Sequence, residues 1–139
     1  MEDAHHPQHK ARQEALVLLE RFGLEAKAGD YPDRLFGGQV QRVAIVRALA
    51  MQPELTLFDE ITSALDPLLV DEVLEAVREL TSGGLTIVMA THEMAFARDV
   101  ADRVCFLRDG IVWEEWPPEA VFNEPQRPET REFLARVLT

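Results

Sequence analysis

The 139 residues predict an α/β fold with a mostly parallel sheet and flanking helices, and three observations carry that prediction. Two short apolar runs, Leu55–Phe58 and Leu85–Ala90, are bounded by Pro53 and by Gly83-Gly84, as buried strands of a parallel sheet would be. Between them, Asp66-Pro67 opens a stretch whose Leu69, Val70, Val73, Leu74, Val77 and Leu80 share one helical face. Further on, Asp109-Gly110 separates two strand-like runs, a two-residue hairpin signal.

The elements follow in order. Residues 1–10 are polar and read as a disordered start. His5, His6 and His9 lie there, but Pro7 interrupts them and no further ligand is near, so a frayed end is preferred to a metal site. From His9 to Phe22 a helix is expected, with Ala11, Ala15, Leu18, Leu19 and Phe22 on its core face and Gly23 as its stop. A second helix runs from the Gly37-Gly38 turn to Met51, its apolar side made by Val40, Val43, Ala44 and Ala48. Arg42 and Arg47 on it are read as solvated or salt-bridged. Asp66 and Pro67 fit the N-cap and first position of the third helix, with Asp71, Glu72, Glu75 and Glu79 on its wet side. After the strand ending at Ala90, a helix from about Glu93 to Ala101 leads to strand Val104–Arg108, the hairpin turn and strand Ile111–Trp116. Trp113 and Trp116 are read as packing residues. Pro117-Pro118 starts a short helix, and a last amphipathic helix uses Phe133, Leu134, Val137 and Leu138.

Composition limits the function classes. A net charge of −11 argues against a nucleic-acid partner, because phosphate backbones need basic surfaces. A single cysteine, Cys105, allows no internal disulfide and fits a reducing compartment. No apolar run approaches the ~20 residues needed to span a bilayer, and the start has no signal-peptide pattern.

The chemistry concentrates between Leu35 and Asp66. Gly37 and Gly38 let backbone approach a ligand closely, and the helix they open presents N–H groups and a dipole that favour phosphate. Asp59 and Glu60 end an apolar strand, where open α/β sheets bind ligands. Adjacent strand residues point to opposite sides, so one carboxylate could hold Mg²⁺ while the other orients or deprotonates water. His92 ends the second strand in the equivalent position.

In this order and spacing the chain resembles the ATP-binding subunits of ATP-binding cassette (ABC) transporters, from about Arg12 to its end. Leu35-Phe36-Gly37-Gly38-Gln39 is similar to the family signature Leu-Ser-Gly-Gly-Gln, and Thr56–Glu60 to Walker B with its following glutamate. Ser63-Ala64-Leu65-Asp66 is similar to the D-loop, and Ala90–Met94 to the switch-histidine segment. The wording THEMAFARDVADRV and the ending PETREFLARVL resemble importers of polar amino acids.

The resemblance implies a partial P-loop NTPase fold. Residues 11–52 would be part of the helical subdomain, and 53–139 the C-terminal part of the ATPase core. It implies ATP and Mg²⁺ as cofactors, Asp59 as the metal residue, and Glu60 and His92 as catalytic base and γ-phosphate sensor. Phe36, Gly37, Gly38, Gln39 and Asp66 would serve the nucleotide across a homodimer. A second ATP-binding subunit and membrane permease subunits would be partners, on the cytoplasmic face of the membrane.

Three departures accompany it. The 139 residues contain no Gly-x-x-x-x-Gly-Lys-Ser/Thr, and their only lysines are Lys10 and Lys27. Phe36 stands at the signature serine, and Ile61 at the proline usual after the glutamate. They leave a second reading open, a truncated, non-catalytic module of the same type. A third is a lobe of a chromosome-maintenance ATPase, disfavoured by the importer-like wording around His92.

Overall fold

The computed structural model describes residues 8–138, which part between Ala90 and Thr91 into two compact units. His5 and His6 lie outside the described residues.

The first unit contains α1 (Gln8–Arg21), α2 (Gly38–Leu49), β1 (Leu55–Asp59), α3 (Pro67–Ser82) and β2 (Thr86–Ala90), with single 3-10 turns at Glu25–Lys27 and Pro32–Arg34. Helix α1 begins at Gln8, just ahead of the expected His9, and His9 and Lys10 lie in its first turn. Gly23, at φ 68°, closes it: the Gly23 and Leu24 amides donate to the Glu20 and Leu19 carbonyls at 2.9 and 2.8 Å. This is the left-handed ending that glycine accepts most readily. The expected core face of α1 is corrected. Ala11 and Ala15 are exposed, Leu18 and Leu19 half-buried, and burial becomes complete only at Phe22 and Leu24.

Helix α2 packs on α1 and α3. Its buried side chains are Ile45 and Val46, whereas Val40 and Ala44 are exposed, so the apolar side sits about one position further round than expected. Helix α3 follows its predicted stripe: Val73, Leu74, Val77 and Leu80 are buried and Ala76 joins them. Arg42 braces all three helices. It donates to the Phe22 carbonyl at 3.0 Å and pairs with Glu72 at 3.1 Å, the structural role expected of it.

Strands β1 and β2 pair in parallel, Leu55 opposite Thr86 through to Asp59 opposite Ala90. The expectation of a fully buried strand fails on one face. Thr56 and Phe58 are buried, while Leu55, Leu57 and Val88 are exposed apolar residues on the other side. Among the described residues this sheet has two strands.

The second unit holds α4 (Met94–Val100), β3 (Val104–Arg108), β4 (Ile111–Trp116), α5 (Pro118–Asn123) and α6 (Pro128–Val137). β3 and β4 form the predicted hairpin, with Asp109 and Gly110 at φ 51° and 79° as a primed turn requires. Val121, Phe122 and Leu134 make its core, with Met94, Ala97, Val104 and Phe133 packed around them. In α6 the buried pair is Thr130 and Leu134. Val137 and Leu138, expected on the core face, are exposed. Trp113 is half-buried and donates from Nε1 to Glu129 at 3.1 Å, whereas Trp116 is half-exposed.

Candidate functional site

The glycine turn is built as the chemistry requires. Gly37 has φ 46° and ψ −118°, a backbone that strains a residue with a side chain, and a Cβ there would lie 2.7 Å from Leu69 Cδ1, which would have to move aside. Gly38 is buried against Leu69 and Val73 of α3. The start of α2 and the start of α3 are thereby locked together. No side chain caps Gly37. Instead Gln39 Oε1 accepts from the Phe36 amide at 3.3 Å, which holds the turn. Phe36 itself points outward, 74% exposed.

Asp59 is the last residue of β1 and is exposed. Glu60 is the first residue past the strand. Its amide donates to the Ala90 carbonyl at 2.9 Å, adding one more bond beyond the paired residues of β1 and β2. Its φ is 45°, a left-handed conformation uncommon for a residue with a side chain. The two carboxylates are therefore separated by a backbone turn. Strand alternation, the basis of the sequence argument, does not apply, because Glu60 has left the strand.

The Ser63–Asp66 segment descends in turns to α3, whose N-cap is Asp66. The Asp66 carboxylate accepts from the Leu68 amide at 3.0 Å, with Pro67 at the first helical position. Asp66 thus has a structural task in this structure. Sequence reasoning missed the backbone state of Glu60 and the two bonds from Ser63 to its carbonyl, one from the amide at 3.1 Å and one from Oγ at 3.0 Å. No local propensity marks a left-handed glutamate; the signal, with hindsight, is a serine three residues on.

His92 falls in the second unit, between β2 and α4, in a turn where Thr91 Oγ1 accepts from the Glu93 amide at 3.0 Å. Asp59, Glu60, Asp66 and the glycine turn belong to the first unit.

Among the described residues no three or more His, Cys, Asp or Glu side chains gather into a metal-binding group. A single exposed carboxylate such as Asp59 fits Mg²⁺, which takes one or two carboxylates and completes its shell with water and phosphate oxygens. It does not fit an all-protein cage.

Solved structures settle the architecture. CbiO1 of Clostridium perfringens, described as part of the ABC transporter complex CbiONQ, superposes with a TM-score of 0.76 at 30% identity, over 97% of this chain and 55% of that one. The fold is part of an ABC ATPase. A second cassette of this kind, a dimer in a post-hydrolysis state bound to ADP and Pi, matches with a TM-score of 0.68 at 36% identity, over 85% of this chain and 51% of that one. The ABC transporter family model matches residues 2–63, and an AAA domain model matches residues 39–98.

The curated relatives this chain matches are ATP-binding proteins of amino-acid transport. The arginine transport ATP-binding protein ArgV of Corynebacterium glutamicum is 53% identical over 95% of this chain and 52% of its own length. The glutamine protein GlnQ of Geobacillus stearothermophilus is 49% identical over 95% and 54%, and the L-cystine import protein TcyC of Bacillus subtilis 52% identical over 93% and 52%. The chain spans about half the length of these relatives. Among the described residues no helix is long and apolar enough to cross a membrane.

Proposed function

We propose that this chain supplies the C-terminal catalytic and dimer-contacting portion of an ABC transporter's ATP-binding subunit, which energises uptake of an amino acid. One observation carries the reading. The parallel register ends β1 at Asp59, and Glu60 turns out of the strand beside it, which supports reading one carboxylate as metal-holding and the other as water-activating.

In this reading Asp59 would hold Mg²⁺, which when bound with nucleotide would neutralise charge developing on the phosphates. Glu60 accepts a proton from the attacking water. His92 donates a hydrogen bond to the terminal phosphate. Gly37, Gly38 and the N-terminus of α2 face the nucleotide of a second copy, with Gln39 and Asp66 stabilising the two helix starts that form that surface. Partners are the second ATP-binding subunit and membrane permease subunits, on the cytoplasmic side. The relatives carry the names of arginine, glutamine and L-cystine transporters, so the amino-acid class is supported and a single solute is not assigned.

A second reading, a non-catalytic module, is favoured by Phe36 in the signature. Calorimetry and phosphate release on the 139-residue chain, alone and fused behind the phosphate-loop half of a relative, separate the two. The chain alone is expected neither to bind ATP–Mg²⁺ at micromolar concentration nor to hydrolyse it. Fused behind the phosphate-loop half of a relative, it is expected to hydrolyse ATP, and a fused protein that folds and binds ATP without turnover would establish the non-catalytic reading.

A further inference from the structure

We propose that Ser63 is a positioning residue for Glu60: its hydroxyl and amide together hold the glutamate's backbone in the left-handed turn that decides where the carboxylate leaves the strand. The functional meaning of this clamp rests on reading Glu60 as the base. The clamp itself rests on geometry alone.

A residue with a Cβ is seldom found at φ 45°, and it stays there only when its surroundings over-determine it. Three hydrogen bonds do so here. On the N-terminal side the Glu60 amide donates to the Ala90 carbonyl at 2.9 Å, tying the residue to the end of β2. On the C-terminal side the Glu60 carbonyl accepts twice from one residue, from the Ser63 amide at 3.1 Å and from Ser63 Oγ at 3.0 Å. Both peptide planes flanking Glu60 are therefore restrained, and with them its φ and ψ. The amide bond could be made by any residue at position 63. The hydroxyl bond needs serine or threonine.

Short polar side chains often bond back to nearby carbonyls, and by itself that habit signifies only a turn. Two facts separate Ser63 from the habit. Its acceptor belongs to a non-glycine residue at positive φ, and that residue directly follows the strand carrying Asp59. Ser63 is also exposed, so its hydroxyl has water available as an alternative partner and burial does not force the bond.

Isotope-labelled NMR on the 139-residue chain tests this directly. In the unaltered chain Glu60 should give the strong amide-to-Hα cross-peak within one residue that marks positive φ. Ser63→Ala keeps the amide bond and removes the hydroxyl. It is expected to abolish that cross-peak and shift the Glu60 carbonyl carbon, while contacts between β1 and β2 persist. Ser63→Thr should restore both signals, which a merely structural serine would not require. An unchanged Glu60 in Ser63→Ala overturns the proposal. If Ser63→Ala fails to fold, the double variant Glu60→Gly with Ser63→Ala decides, because glycine adopts positive φ without the clamp. Recovery of the fold supports the proposal and continued unfolding overturns it. None of these readouts involves nucleotide. A Glu60→Gln fused subunit that kept full hydrolysis would remove the base role and leave the clamp standing.

Discussion

Glu114 in the second unit and Glu60 in the first carry the same side chain in opposite surroundings. Glu114 is buried on β4 and fully employed: its two carboxylate oxygens accept from the Gln126 and Arg127 amides at 2.7 and 3.1 Å, just before α6 begins. Burial pushes this carboxyl up. The Thr130 hydroxyl, the two amides and the Arg127 charge outweigh that and hold its pKa below the ordinary value. Glu60, by contrast, is exposed, and its backbone is held by bonds to Ala90 and Ser63 in a conformation of its own that is unfavourable. At Glu114 the backbone organises around a carboxylate. At Glu60 hydrogen bonds organise the backbone of an exposed residue. The first arrangement favours stability, and the second is how sites of chemistry are commonly held.

The sharpest way to break this contrast is to neutralise each glutamate in turn. In a subunit completed with a relative's phosphate-loop half, Glu60→Gln should lower hydrolysis by about 10²–10⁴ while ATP binding survives. Its unfolding free energy should move by less than about 0.5 kcal/mol, as for other exposed substitutions. Glu114→Gln should do the reverse, costing roughly 1.5–3 kcal/mol by urea unfolding, the worth of hydrogen bonds to a charged group. Comparable stability losses in both variants would erase the distinction.

Acid should sharpen it. Because the folded pKa of Glu114 is depressed, its contribution is complete above the unfolded carboxyl value of about 4.3 and is lost as pH falls through the folded pKa. The gap between the unaltered chain and Glu114→Gln should therefore narrow as unfolding is measured at successively lower pH below that value. A gap that widens on acidification would contradict the assigned cause.

A smaller effect concerns the signature turn. Phe36 is exposed where the family carries serine. In the completed subunit, Phe36→Ser should raise hydrolysis by at least about tenfold, since a hydroxyl–phosphate bond is worth more than the roughly 1.4 kcal/mol of one decade. Equal rates would show that side chain to be immaterial. The smallest expected change is at Asp66, whose cap on α3 makes Asp66→Ala cost about 1 kcal/mol in thermal or urea unfolding.

Much of this was legible in the residues, and the failures have a common physical origin. α3 was readable because a 16-residue helix with one sustained stripe and an Asp-Pro start leaves few alternatives. The hairpin was readable because Asp-Gly permits the two positive φ values it needs. α1 and β1 were misjudged in burial, because period and apolar composition say which face is alike, not what covers it. Leu57 and Ala11 look like core residues by pattern and are exposed in fact. At the site, the carboxylates and glycines were found by residue type and spacing. The left-handed state of Glu60 was invisible, because it is imposed by bonds from Ala90 and Ser63 and not by any preference of glutamate.

The uncovered face of the β1–β2 sheet also has a consequence for handling the protein. Leu85-Thr86-Ile87-Val88-Met89-Ala90 is uncharged, free of proline and glycine, and rich in β-branched residues, the type of segment that stacks into cross-β fibrils when its strand is exposed. Since β1 and β2 have only each other among the described residues, solution behaviour should depend on concentration. The net charge of −11 keeps copies apart at low ionic strength. Salt that screens it should bring on turbidity and thioflavin-positive material, so the strand that frames the site also sets the shelf life of the purified chain.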